Sequence, residues 1–165
     1  MFTVVDLAVG AIGIRLVRNI KKIRKVPDVV FVKENLAFGG VCLYKELVKL
    51  KIDSVIDLRE ETVPKNIDQE LLEYYNIGIT DGSIPTPSQI DQIHQIIKEK
   101  EKEGKTVFIH CNLGRGRATL ITMYYLLKEG MDWQTVLTRV RKRKFIYLNK
   151  KQLKFLEKYW KNSQT

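Results

Sequence analysis

Thr106-Val107-Phe108-Ile109-His110-Cys111-Asn112-Leu113-Gly114-Arg115-Gly116-Arg117-Ala118 is the stretch on which the reading of this chain turns. Thr106 to Ile109 is a short run of β-branched and aromatic residues without a charge, the pattern of a strand buried on both faces of a sheet. It hands His110-Cys111 directly to a loop with two glycines. Beyond the loop, Ala118 to Lys128 reads as an apolar helix stopped at Gly130. The sequence therefore places a cysteine at the carboxyl end of a buried strand and an arginine six positions later, where a helix begins.

These residue types suit one another chemically. Gly114 and Gly116 let consecutive backbone N–H groups curl around the start of the helix, and such a concave donor array suits a dianion. Asn112, Leu113, Gly114, Arg115, Gly116 and Arg117 are accordingly the candidate phosphate-binding residues. The planar guanidinium of Arg117 can grip two oxygens at once and stabilise the charge that spreads over them in a transition state. The same positive field favours the thiolate of Cys111, which makes it a candidate nucleophile, while His110 is expected to brace the loop. No cofactor and no metal is needed for this chemistry. Cysteine-to-arginine spacing alone carries little weight; a histidine before the cysteine and a glycine midway lower the odds of coincidence to roughly one in ten thousand.

With these residues in place, the sequence resembles the dual-specificity branch of the protein tyrosine phosphatase superfamily, whose loop is written HCxxGxxR followed by Ser or Thr. His110, Cys111, Gly114 and Arg117 match. The resemblance implies metal-independent hydrolysis of phosphate monoesters through a cysteinyl-phosphate. It also implies an aspartate about thirty residues upstream that protonates the leaving oxygen and later helps water attack. Asp81 occupies that place, in the turn-rich segment Asp81-Gly82-Ser83-Ile84-Pro85-Thr86-Pro87. Gly39-Gly40, Asp57-Leu58-Arg59, the Pro85 loop and Asn149 to Gln152 also fall where the family would put them, with Asp57 and Arg59 read as closing a strand end. One departure stands out: the hydroxyl residue expected after the arginine is Ala118, and Thr119 is expected to point elsewhere. The missing donor to the departing sulfur predicts a phosphoenzyme that accumulates.

Working outward, the pattern predicts a single α/β domain with a central, mainly parallel or mixed sheet of about five strands flanked by helices. Val29 to Val32 and Leu36 to Phe38, ending at Gly39-Gly40, read as a strand pair closing in a tight turn, and Ser54 to Leu58 as a buried strand. Ile77 to Thr80 is expected as a further short strand. Helices are expected over Leu43 to Leu50, Asp68 to Tyr75, a segment capped by Ser88 and ending at Gly104, Trp133 to Lys142, and Lys150 to Trp160. In the third of these Ile90, Ile93, Ile96 and Ile97 form one buried stripe, with His94 on the helix surface. The catalytic domain is expected over 26–165, after an apolar and basic helical segment over 1–25.

The 165 residues carry a net charge of +10, which favours anionic partners. Two cysteines, Cys42 and Cys111, exclude a disulfide framework and fit a reducing, cytoplasmic setting. In the first segment the basic run follows the apolar one, the wrong order for a secretory signal, and the apolar run is too short to span a bilayer. Two readings stay open for it: a helix on the domain's own core, or an interfacial helix giving peripheral membrane contact through residues 1–25. The expected partner at the active site is a phosphorylated protein, with a phospholipid as the alternative, in which Arg115 would meet acidic headgroups. Nucleic acid is disfavoured as a partner, although the basic residues between Arg139 and Lys161 could track a backbone. A phosphate-binding adaptor without turnover is the non-enzymatic alternative.

Overall fold

The computed structural model describes residues 28–60, 72–142 and 145–164; the segment 1–25 lies outside them. Five strands, β1 (Val29–Lys33), β2 (Leu36–Gly39), β3 (Ser54–Asp57), β4 (Glu73–Asn76) and β5 (Val107–His110), form one sheet in the order β1-β2-β5-β3-β4. Only the β1–β2 pair is antiparallel; β2, β5, β3 and β4 run parallel. The helices are α1 (Tyr44–Lys49), α2 (Pro87–Lys102), α3 (Arg117–Lys128), α4 (Trp133–Val140) and α5 (Lys150–Asn162). The expected α/β fold with a mixed sheet of five strands is the observed one.

β5 sits in the middle of the sheet, which explains its uninterrupted apolar character: every residue from Val107 to His110 is buried. Alternation along the strands separates two cores. Leu36, Phe38, Ile56, Val107, Ile109 and Cys111 join the core that contains apolar residues of α3, α4 and α5 and Ile93, Ile96 and Ile97 of α2. Ala37, Val55 and Phe108 face the other way, onto Leu47 of α1 with Ile52 and Leu72. Cys42 packs on this second core, its Sγ accepting from Asp28 N at 3.2 Å and donating to Gly40 O at 3.4 Å. Helical cover on both faces is what a sheet apolar on both faces requires.

Several expected boundaries shift. Glu73–Asn76 is an edge strand rather than the end of a helix over Asp68 to Tyr75, because Tyr74 and Tyr75 pair with Val55 and Ile56 of β3. Local charge spacing suggests helix there, but an edge strand tolerates Glu73 and Asn76, whose polar groups find partners. The strand expected at Ile77 to Thr80 is displaced to those four residues; the segment itself only hands single hydrogen bonds to the β3 end, from Ile77 N to Asp57 O and from Ile79 N to Leu58 O. Thr86, not Ser88, caps α2: its hydroxyl accepts from Gln89 N while the Gln89 side chain accepts from Thr86 N, with Pro87 at the first helical position. Glu34 and Asn35 form the tight turn between β1 and β2. Gly39 and Gly40 serve close approach instead, since a Cβ on Gly40 would lie 3.1 Å from the Leu113 carbonyl carbon. His94 is half-buried, its ring 5.5 Å from that of Tyr125 and its Nε2 3.3 Å from Glu129.

Candidate active site

Strand register lines up the chemistry. Gly39, His110 and Asp57 lie abreast at the carboxyl ends of β2, β5 and β3, and Asn76 continues the row on β4. Cys111 is the first residue past the sheet, buried, with its N–H donating to Gly39 O at 3.4 Å. The loop then folds back over the sulfur, so that Gly114 N donates to Cys111 Sγ at 3.3 Å. This reversal requires glycine twice over: Gly114 has φ +63, and a Cβ there would lie 2.1 Å from the Gly39 carbonyl carbon. Val41 N ties the far side of the loop to Asn112 O at 3.2 Å. Gly116 stands at the N-cap of α3 with no side-chain cap, leaving the first N–H groups of the helix directed at the loop interior.

Arg117 opens α3 and is 1% exposed. One terminal nitrogen donates to Ile79 O at 2.9 Å and to Leu58 O at 3.2 Å, and its Nε lies 3.1 Å from Asp81 Oδ1. The guanidinium is thus fixed by two backbone carbonyls, and its buried Nε faces a carboxylate whose side chain is 82% exposed. Asp81, thirty residues upstream, thus meets the loop that carries Cys111 and Arg117 at the end of β5.

The carbonyl of Leu58 has a rigid setting of its own. On either side of it Asp57 and Arg59 form a buried ion pair: the Asp57 carboxylate accepts from Arg59 N at 3.0 Å, from its Nε at 2.9 Å and from a terminal nitrogen at 2.6 Å. Tyr74 donates to the same carboxylate at 2.7 Å. Asn76 Nδ2 clips the backbone with bonds to Asp57 O and Arg59 O. Burial pushes the Asp57 carboxyl up, but the bonds from Arg59, the neighbouring His110 and the Tyr74 hydroxyl outweigh it and hold the group below the usual carboxylate range. Burial also lowers His110, against the pull of Asp57 at 3.7 Å, so its imidazole is neutral at pH 7. Its ring stacks on Phe108, and Nδ1 lies 3.4 Å from Cys111 O, where it can only donate.

Of the remaining loop residues, Asn112 is exposed, Leu113 and Gly116 are half-buried, and Arg115 is buried with its guanidinium over the Phe145 ring, 5.2 Å from the centroid. Ala118 is fully buried in the core beside Cys111, and Thr119 turns its hydroxyl to Gly114 O at 3.1 Å, where it holds the loop rather than reaching the sulfur. Three residues absent from the expected site touch the segment that carries Asp81. Gln89 Nε2 donates to Gly78 O at 2.6 Å, Asn149 Nδ2 to Gly82 O at 2.7 Å and Gln152 Nε2 to Ser83 O at 3.1 Å, so the segment carrying Asp81 is gripped on both sides. The spacings Thr86-x-x-Gln89 and Asn149-x-x-Gln152, each a capping-box pattern, are the signal that points to them.

Residues 40–162 match the family model described as dual specificity phosphatase, catalytic domain. The chain is 26% identical over 117 residues to PRL-1 phosphatase of Drosophila melanogaster, covering 69% of this chain and 66% of that protein. It is 27% identical over 118 residues to human protein tyrosine phosphatase type IVA 3, covering 70% of this chain and 68% of that protein. The chain thus spans about two thirds of the length of these curated relatives. Among solved structures, Tk-PTP in its active form superposes with a TM-score of 0.71 at 27% identity, covering 82% of this chain and 97% of that one. With a family match that runs from the end of β2 through the loop and the helices just described, the chain belongs to the dual specificity phosphatase family and is a cysteine-based phosphoric monoester hydrolase of the protein tyrosine and dual-specificity type.

Proposed function

We propose that Cys111 is the nucleophile of this hydrolase, Arg117 its oxyanion clamp and Asp81 its general acid and base, acting on phosphorylated protein. The observation that carries this reading is the placement of Arg117, held by the Leu58 and Ile79 carbonyls and touching Asp81 at 3.1 Å, over a loop curled around the Cys111 sulfur. In the first step the Cys111 thiolate attacks phosphorus while the ester P–O bond breaks and Asp81 gives its proton to the departing oxygen. In the second, Asp81 takes a proton from water, the water oxygen attacks phosphorus, the S–P bond breaks and inorganic phosphate leaves. Throughout, loop N–H groups and the Arg117 fork carry the negative charge of the equatorial oxygens.

Aryl phosphate is the favoured substrate form because the rim is apolar. Ile84 follows the Asp81 turn and is 46% exposed, and Tyr147, whose N–H donates to Arg115 O, is 49% exposed. Such side chains suit an aromatic ring above the phosphate site. Arg115, tucked against Phe145, is not presented outward in the way a headgroup contact needs. Hydrolysis of a phosphotyrosine peptide and of phosphoinositide vesicles, with chelator present, tests the reading in wild type, Cys111→Ser and Asp81→Ala. Peptide turnover that vanishes in the serine variant and falls about a hundredfold in the alanine variant is expected. Turnover of the vesicles alone would transfer the chemistry to a lipid substrate, and residual peptide turnover in Cys111→Ser would overturn the nucleophile assignment.

A further inference from the structure

Three side-chain amides around the Asp81 segment each do two jobs with their two ends. The oxygen of Asn149 accepts from Gln152 N at 3.0 Å, and the oxygen of Gln152 accepts from Asn149 N at 3.1 Å, so the pair forms the capping box that starts α5. Their nitrogens point the other way, to the carbonyls of Gly82 and Ser83, the two residues directly after Asp81. At the start of α2 the Gln89 oxygen accepts from Thr86 N at 2.8 Å while its nitrogen donates to Gly78 O. A Ser83 N to Thr80 O bond of 3.0 Å closes the turn between these grips. Gln152 is 1% exposed, so its amide is committed to these partners.

Capping the helices does not require the nitrogens. Serine or aspartate caps a helix as well as asparagine, and glutamate serves at the third position as well as glutamine. The amide ends therefore contribute something that helix formation leaves unused. We propose that Asn149 and Gln152, seconded by Gln89, are positioning residues that hold the Asp81 turn in its closed place beside Arg117, so that the acid stands ready before substrate arrives. Asp81 and Gly82 are exposed and their own turn supplies a single backbone bond, so besides the Arg117 contact of Asp81 the amide grips are the main ties on these residues. This inference rests on the reading of Asp81 as the general acid.

The dual use of each amide makes the two roles separable. Asn149→Ser keeps a capping oxygen and lacks the amide donor; Gln152→Glu keeps the capping-box acceptor and meets Ser83 O with an oxygen instead of an N–H. A displaced acid penalises most the substrates whose leaving groups need protonation most. For each variant kcat/KM is measured with phenyl phosphate, whose phenol is a poor leaving group, and with p-nitrophenyl phosphate, whose phenolate leaves well, beside the thermal midpoint. The expected result in both variants is a loss of about tenfold on phenyl phosphate and under about twofold on p-nitrophenyl phosphate, with the midpoint unchanged in Asn149→Ser and lowered in Gln152→Glu, whose carboxylate is buried against the Ser83 carbonyl. Asp81→Asn runs alongside. If Asp81→Asn shows the selective loss and the other two variants lose both substrates equally or neither, the positioning role is wrong while the acid stands. If Asp81→Asn shows no selective loss, the acid assignment fails and the positioning role with it.

Discussion

Asp57→Asn isolates the energetics of the clasp behind Arg117. The carboxylate it neutralises is fully buried, and its partner Arg59 is 7% exposed, so the variant leaves a guanidinium in the interior without an opposing charge. Breaking a buried pair by removing one partner costs about 3–5 kcal/mol. Asparagine still offers one oxygen to the Arg59 donors, which puts the expected loss at the lower end, about 3 kcal/mol. For a chain of this length that corresponds to a fall of roughly 9 °C in Tm. The assay is urea unfolding at pH 7, where the midpoint should drop with the slope unchanged, since the surface exposed on unfolding stays the same. A double variant, Asp57→Leu with Arg59→Met, removes both charges and should recover part of the loss, because apolar side chains replace a buried pair at little cost while the Tyr74 hydroxyl and the Arg59 N–H lose their acceptor. A loss below about 1 kcal/mol in Asp57→Asn, or a double variant weaker than the single one, would refute the view that this pair is held by mutual compensation in the interior.

Stability should also decline with acid in a defined window. His110 is lowered in the folded state by burial, so the unfolded chain takes up a proton as pH falls through about 6.5 while the folded one does not. The stability present above that pH is lost below it, at no more than about 1.4 kcal/mol per pH unit, and unfolding midpoints in His110→Asn should fall less between pH 7 and 5. Asp57, also lowered, adds a second loss beginning below about pH 4. Gly114→Ala should abolish turnover, because the added Cβ meets backbone 2.1 Å away at a φ of +63; wild-type rates in that variant would contradict the loop geometry. Ala118→Ser restores a hydroxyl beside the sulfur, and rapid-mixing experiments should show a smaller phosphoenzyme burst than in the parent.

Much of this was legible in the sequence because the decisive residues are contiguous. Val107 to Arg117 holds strand, loop and helix start together, and glycine placement there reports backbone geometry directly. Asp81, the acid proposed above, was reachable only through spacing relative to Cys111, since Asp-Gly is an ordinary turn pair. The Tyr74-Tyr75 strand was hidden because its identity is decided by pairing with Val55 and Ile56, a partnership that local charge spacing does not reveal. The roles of Gln89, Asn149 and Gln152 were half visible: capping-box spacing announces a helix start, but not what the unused end of each amide touches.

The two cores on opposite faces of the sheet also divide the thiols of this sequence. Cys111 belongs to the core of α3, and Cys42 to the one beneath α1. A peroxide that carries Cys111 to a sulfenic acid therefore finds no resolving thiol on its own side of the sheet, and recovery falls to a small-molecule or protein thiol arriving through the mouth of the active site. Phosphate bound in that mouth would then shield the sulfur from the oxidant and from the reductant alike, tying the redox lifetime of the enzyme to the occupancy of its own product.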